Sequence, residues 1–325
     1  MSWKPTLTWD HAQKRAQILQ QIRQFFSDKA VVEVETPTLS LGTVTDVHLE
    51  TFTCRYNFLA DKSVCQPTEL HLQTSPEFHL KRLLASGYGC IYQISKAFRH
   101  EEAGRYHNPE FTMLEWYRLG FDHFELMAEV AELLQLVLNC DEPIQVTYQQ
   151  LFIEYVDVDP LMASTEQLLA IINDHNKLCE WLAIADDNDI LLQFIFSEII
   201  EPKIGNDKPC FVFNFPISQA SLAKMCPKDN RVAQRFECYF RGIELVNGFN
   251  ELTDIDVQLE RFQQDNVKRK KMLLKEKRID ANFISALSHG LPPCSGVALG
   301  VDRLIMLALK ADHIEQVISF PVDRS

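Results

Sequence analysis

Two runs of this chain, CIYQISKAFRHEE and EFTMLEWYR, are separated only by AGRYHNP. Their period of two and their β-branched and aromatic residues read as strands, while Gly104, Asn108 and Pro109 between them are loop formers. Such neighbours make an antiparallel pair with a long loop, and a pair of this kind must be completed into a sheet from elsewhere in the chain. Strand signals do return, in CFVFNFP, in RFECYF and IELVNGF around Arg241-Gly242, and in CSGVALG.

Between these segments the period changes. From about Asp10 to Phe26 the positions Ile18, Leu19, Ile22, Phe25 and Phe26 recur at helical spacing, ahead of a short strand, VVEVETP, that Pro37 stops. Ser75-Pro76-Glu77 predicts a helix start with Ser75 as N-cap and Pro76 at the first helical position, leading into HLKRLLAS. FELMAEVAELLQLVL and NDILLQFIFSEII make the middle of the chain mainly helical, and VDRLIMLALK closes the pattern. No internal repeat and no Ser/Gly-rich linker divides the 325 residues. The expectation is one α+β domain, a largely antiparallel sheet flanked by helices over 1–325, with a mainly helical insertion at about 120–205.

Composition narrows the function. With 32 Lys and Arg against 45 Asp and Glu, the net charge of −13 argues against a protein whose main task is gripping a polyphosphate backbone. The nine cysteines are scattered without a CxxC pair, and the N-terminus MSWKPTLTWDHAQKR lacks a signal-peptide core. No apolar run spans a bilayer. These features predict a cytoplasmic protein with reduced thiols and no membrane partner. One basic run, Lys268 to Lys271 with Lys275, Lys277 and Arg278, reads either as a solvated helix face or as a docking patch for an acidic partner.

The chemistry is expected on the strands. Residues two apart share a face, so Ser95, Ala97, Arg99 and Glu101 line one side of the first strand and Phe111, Met113, Glu115 and Tyr117 one side of the second. That floor offers a guanidinium for an anion and a carboxylate with a phenol for an ammonium. A two-residue turn at Arg241-Gly242 pairs Tyr239 with Glu244 and sets Glu237 diagonally across from Glu244. Two carboxylates so placed suit Mg²⁺ bridging to phosphates. A bulge at Gly248 would let Asn247, Phe249 and Glu251 face the same cavity, and Arg303 lies near a helix N-terminus, where phosphates are favoured. Each of these features also has an ordinary structural reading, as surface carboxylates or a solvent-washed sheet face.

In combination they resemble the three motifs of class II aminoacyl-tRNA synthetases. VVEVETP with Pro37 is similar to the first, FRHEE through HNPEFTMLEWY to the second, and GVALGVDR with Arg303 to the third. HNPEFTMLEWY and IELVNGFNELTD resemble the lysine branch. The first motif begins within about thirty residues of Met1, leaving no room for an anticodon-binding domain. Over essentially its whole length the chain, through SPEFHLKRLL, GRYHNPEFTMLEWYR, FPISQASLA and CSGVALGVDRL, is similar to core-only relatives that attach lysine to elongation factor P.

The resemblance implies ATP and Mg²⁺ as co-substrate and cofactor, (R)-β-lysine and elongation factor P as substrates, and a homodimer formed around the Pro37 segment. It implies that Arg99 and Arg303 are the catalytic cations, on the α- and γ-phosphates. His100, Glu101, Asn108, Phe111, Glu244, Leu245 and Gly300 complete the ATP site, with Phe111 stacked on adenine. Glu237 and Glu244 hold the metal, and Ser75, Pro76, Glu77, Glu115, Tyr117, Asn247, Glu251 and Ala298 enclose the amino acid. His100 stands where an asparagine is commonest, and its side chain should point to the other strand face. Ala298 stands where lysyl-tRNA synthetases have glycine, and its methyl group takes room from the pocket, as expected for an amine one carbon further from the carboxylate. The rival expectations are a truncated synthetase that charges tRNA and a catalytically silent binding module; the acidic charge makes tRNA the less favoured partner.

Overall fold

The computed structural model describes residues 3–57, 68–100, 103–185 and 187–325, which fall into two compact units. Unit 1 combines Met1–Phe121 with Leu252–Ser325, and unit 2 is Asp122–Glu251. Unit 1 opens with α1 (Trp9–Asp28), β1 (Val32–Glu33), β2 (Leu39–Ser40), β3 (Thr53–Tyr56), β4 (Thr68–Leu72), α2 (Glu77–Ala85), β5 (Ile91–Phe98) and β6 (Glu110–Leu119). Unit 2 holds α3 (His123–Leu138), β7 (Ile144–Thr147), α4 (Tyr148–Val156), α5 (Thr165–Asp174), α6 (Glu180–Ala183), α7 (Asn188–Ile195), β8 (Cys210–Phe213), β9 (Arg235–Phe240) and β10 (Ile243–Asn250). The chain then returns to unit 1 with α8 (Ile255–Lys271), α9 (Ala281–His289), β11 (Cys294–Gly300) and α10 (Val301–Leu309).

In unit 1 the main strands lie in the order β1-β5-β6-β11, with β1 parallel to β5 and the other pairs antiparallel. A small sheet, β2-β4-β3, accompanies them. In unit 2 the order is β10-β9-β8-β7, antiparallel except for β7 and β8. The α+β class and the mainly antiparallel strands agree with the sequence.

The pleat explains how unit 1 buries one strand face and keeps the other for polar work. Helix α1, capped by Thr8, which accepts from the His11 N–H, turns Ile18, Ile22, Phe25 and Phe26 inward. Phe26 stacks on Tyr92 of β5 at 4.3 Å and meets Trp116 of β6 edge-on at 5.3 Å. Gln93, Glu115 and Ala298, being one residue out of phase with these, share the opposite face.

On the apolar side one buried carboxylate ties three elements. Asp302 of α10 accepts from Arg15 of α1 and from the Thr112 backbone N–H of β6, each at 2.7 Å. Asp302→Ala leaves a guanidinium and a buried N–H without that acceptor, and is expected to destabilise the fold by about 3–5 kcal/mol. A urea titration followed by circular dichroism checks this; an unchanged midpoint would remove Asp302 from the account of unit 1.

Several local expectations are corrected. VVEVETP makes only a two-residue ladder, because after the Val34 N–H reaches the Tyr92 carbonyl the chain leaves the sheet edge and Thr36 turns its hydroxyl to Gln93 at 2.8 Å. Helix α2 starts at Glu77, with Pro76 as its N-cap; Ser75 still accepts from the Glu77 N–H at 3.1 Å. Strand β5 ends at Phe98: the Arg99 N–H still reaches the Pro109 carbonyl, but the His100 N–H goes to the Glu50 carbonyl.

The basic run is less solvated than its charge suggests. Arg269 is 1% exposed, donating to the Asp46 and Lys275 carbonyls and to Glu50, and the buried Lys277 shares that carboxylate. Lys275 reaches Glu69. The tertiary fold supplies carboxylates from another part of unit 1, which a helical projection of 268–278 does not reveal.

In unit 2 the helices have their own core. Tyr148, Phe152, Leu168, Ile172, Leu191 and Ile195 pack with Cys210, Val212 and Tyr239 of the strands. Asp122 and Glu125 form a reciprocal capping box at the start of α3. Among the described residues no disulfide forms and no helix is long and apolar enough to cross a membrane; Cys65 lies outside the described residues.

Candidate active site

In unit 1 the polar strand face is organised around Glu115. The register places Gln93 of β5 and Ala298 of β11 directly opposite it on either side, so the Ala298 methyl belongs to the same row as the carboxylate. Glu115 is 1% exposed and accepts from the Ser75 hydroxyl at 2.5 Å and the Tyr117 hydroxyl at 2.8 Å. The Gln93 side-chain oxygen accepts from the Thr36 hydroxyl at 2.8 Å, and as a neutral amide it offers a ligand no charge. Burial, reinforced by the nearby negative charge of Glu77, pushes Glu115 up to about 7. A carboxylate in this state gains most from a cationic partner.

Ser75, Pro76 and Glu77 come from the approach to α2 and its first turn. Glu77 accepts from Lys81, one turn later, at 2.5 Å, and Lys81 is itself 1% exposed. The sequence reading missed Lys81; its signal was the i,i+4 spacing from Glu77 in SPEFHLK.

Further along the same strand pair, the Arg99 guanidinium lies 5.2 Å from the centre of the Phe111 ring. The cation is thereby held over the aromatic face. His100 turns its ring to Phe52, 5.1 Å away. The buried Asn108 donates to the Glu110 carbonyl and accepts from the Val322 N–H, so it ties the loop to the C-terminal segment. Glu101 lies outside the described residues.

Arg303 sits in the first turn of α10, whose N-cap is Gly300. Its guanidinium contacts His107 Nε2 at 2.7 Å and donates to the Tyr106 carbonyl at 3.3 Å. The strand-pair loop therefore touches Arg303. The sequence reading did not single out His107, and no local pattern marks it.

In unit 2 the predicted turn forms at Arg241-Gly242, both residues with positive φ, and Glu244 pairs with Tyr239. The bulge is at Leu245, between Glu244 and Val246, and not at Gly248. This displacement matters. With one residue inserted, Asn247 comes opposite Glu237, so Glu244, Asn247 and Glu237 share a face although Glu244 and Asn247 are three apart. Leu245 itself is buried. Glu251 is fully buried at the end of β10 and bridges to Ala223 through the backbone.

Glu237 accepts from Arg235 at 2.5 Å and from the Tyr239 hydroxyl. Burial raises its carboxyl above the ordinary range, Arg235 opposes the rise, and Glu244 adds to it. Mutual repulsion of Glu237 and Glu244 on one strand face fits a divalent cation held through oxygen ligands, with phosphates and water completing the shell. Among the described residues no group of three or more His, Cys, Asp or Glu forms a self-sufficient metal centre. Arg235 was not anticipated; it lies two residues before Glu237 and so on the same strand face.

The sequence matches a known family. The profile of the tRNA synthetases class II (D, K and N) covers residues 8–324, and the chain belongs to that family. Within it the chain is similar to proteins named elongation factor P–(R)-beta-lysine ligase. That of Vibrio parahaemolyticus is 55% identical over 98% of both chains. Those of Yersinia enterocolitica and Photobacterium profundum are 53% and 54% identical, over 100% and 99% of this chain and 98% of each relative.

Proposed function

We propose that this chain is an ATP-dependent ligase that activates (R)-β-lysine as an aminoacyl-adenylate and transfers it to the ε-amine of a lysine on elongation factor P. The observation that supports the reading most strongly is Glu115, a buried carboxylate held by two hydroxyls and raised by its surroundings, which favours an ammonium ligand. The names of relatives at 53–55% identity supply the acceptor and the particular amino acid.

The reaction has two steps. The amino-acid carboxylate attacks the α-phosphorus of ATP, breaking the bond to pyrophosphate; the acceptor amine then attacks the activated carbonyl, loses its proton and expels AMP. Neither step needs a side-chain nucleophile, so rate comes from orientation and charge stabilisation. Arg99 would bind the α-phosphate with adenine on the Phe111 ring, and Arg303, held by His107, would meet the γ-phosphate. His100, Glu101, Asn108, Leu245 and Gly300 complete the ATP contacts. Glu237 and Glu244 would hold Mg²⁺, which supplies compensation of phosphate charge. Ser75, Pro76, Glu77, Glu115, Tyr117, Asn247, Glu251 and Ala298 would contact the diamino acid. A cytoplasmic homodimer belongs to the same reading.

ATP–pyrophosphate exchange with (R)-β-lysine, L-α-lysine or no amino acid, followed by label transfer to elongation factor P or bulk tRNA, tests it. Exchange strongest with (R)-β-lysine and label on the protein acceptor is the expected outcome. Label on tRNA would make the chain a truncated synthetase, and absence of exchange with every amino acid would make it a binding module.

Ala298 faces the same row as Glu115, so its methyl group acts where the amino acid is expected. Ala298→Gly is predicted to raise kcat/KM for L-α-lysine by about 10-fold or more, the scale of one methyl in a pocket. Unchanged α-lysine kinetics would remove Ala298 from the specificity argument.

A further inference from the structure

A lysine as fully buried as Lys81 is uncommon, and it is placed one helical turn from Glu77 in the element that also presents Ser75 to Glu115. Its ammonium lies 2.5 Å from Glu77 and 6.0 Å from the centre of the Phe283 ring. Phe283 stacks on Phe78 at 4.3 Å, so α9 closes over α2 and fixes the helix that carries the pair. Burial of this kind costs free energy that only a close, hydrogen-bonded partner offsets, and Glu77 is that partner.

The proposal rests on the ligase reading above. We propose that Lys81 is a positioning residue for the amino-acid end of the reaction: paired with Glu77, it offsets the second carboxylate beside Glu115 and keeps Glu115 available as an anion for a substrate ammonium. Among the described residues, the charged or titratable groups that act on Glu115 are Glu77 and Lys81 from α2 and Tyr117 from its own strand; Glu77 reaches it through Ser75, whose hydroxyl accepts from the Glu77 N–H and donates to Glu115. The adjoining strands present Gln93 and Ala298, which do not titrate.

The two α2 groups have opposite effects. Glu77 disfavours a charge on Glu115 and Lys81 favours it. Removing Lys81 leaves the Glu77 effect without that opposition, so the Glu115 proton is held to higher pH. An ammonium binds the ionised carboxylate, so KM for the amino acid falls as pH rises through the Glu115 midpoint. That fall moves to higher pH in the variant.

The experiment is the pH dependence of ATP–pyrophosphate exchange with (R)-β-lysine in wild type, Lys81→Met, Lys81→Arg and the double variant Lys81→Met/Glu77→Gln. For Lys81→Met the fall in amino-acid KM is expected to move up by about one pH unit, equivalent to about a fivefold higher KM at pH 7 and about tenfold well below the midpoint, with KM for ATP unchanged. Lys81→Arg restores the wild-type position. The double variant, which removes the larger Glu77 effect together with that of Lys81 and stays informative if the single variant folds poorly, brings the midpoint below that of Lys81→Met.

An unshifted midpoint in folded Lys81→Met, or a double variant whose midpoint stays at that of Lys81→Met, overturns the role assigned to Lys81. An equal rise in KM for ATP and for the amino acid overturns it as well, since only a general packing defect acts on both. Failure of the wild-type protein to support exchange with (R)-β-lysine is a different result: it removes the ligase reading itself.

Discussion

Arg99→Ala is expected to lower kcat for ATP–pyrophosphate exchange by about 10²- to 10³-fold, the scale of one preorganised electrostatic donor. The guanidinium is held against the Phe111 ring at the end of a long antiparallel pair, so little reorganisation is needed when a phosphate arrives. Negative charge grows on the α-phosphate oxygens as the carboxylate attacks, and a fixed cation stabilises that state more than the ground state. Arg99→Lys keeps the charge but loses the planar fork, and should recover only part of the rate. Full activity in Arg99→Ala, measured by exchange at saturating ATP, would move the phosphate contact elsewhere.

The largest expected effect concerns the substrate. A β-amino acid of the same chain length without the terminal amine should be activated with kcat/KM about 10⁴- to 10⁵-fold below that of (R)-β-lysine. Apolar contact alone would give far less discrimination. Glu115 accepts two hydroxyl bonds in a buried setting, and an uncharged methyl offers it neither a charge nor a donor. Exchange measured over a range of analogue concentrations decides this. A difference below about 100-fold would mean that the pocket recognises chain length and that Glu115 serves the fold.

Much of the strand face that carries these groups is legible in the sequence. The alternation in EFTMLEWYR placed Phe111, Met113, Glu115 and Tyr117 on one face, and the register with β5 and β11 places them there. The turn at Arg241-Gly242 and the pairing of Tyr239 with Glu244 were equally legible, since a two-residue hairpin leaves the chain little freedom. The bulge was not. Its position at Leu245 depends on which strands flank β10 and how each side chain is buried, and Gly248 was the more obvious local candidate.

Charge was read least well. The basic cluster in 268–278 read as a solvated helix face or a docking patch, yet Arg269 and Lys277 converge on Glu50, more than two hundred residues away in sequence. Lys81 shows the same limit on a shorter scale: its spacing from Glu77 was visible, but its burial was not.

The sequence by itself determined the long strands and helices, which residues share a face along the regular strands, and the motifs that place the chain in its family, because these depend on local periodicity and residue type; the short strands β2, β3, β4 and β7 carry too few residues to show a period. Only the tertiary structure decided the rest: Ala298 directly across from Glu115, Lys81 buried beside Glu77, and Asn247 turned onto the face of Glu237 by a bulge. Each of these is a question of register or of solvent removed from a charge, and both are set by elements distant in the chain.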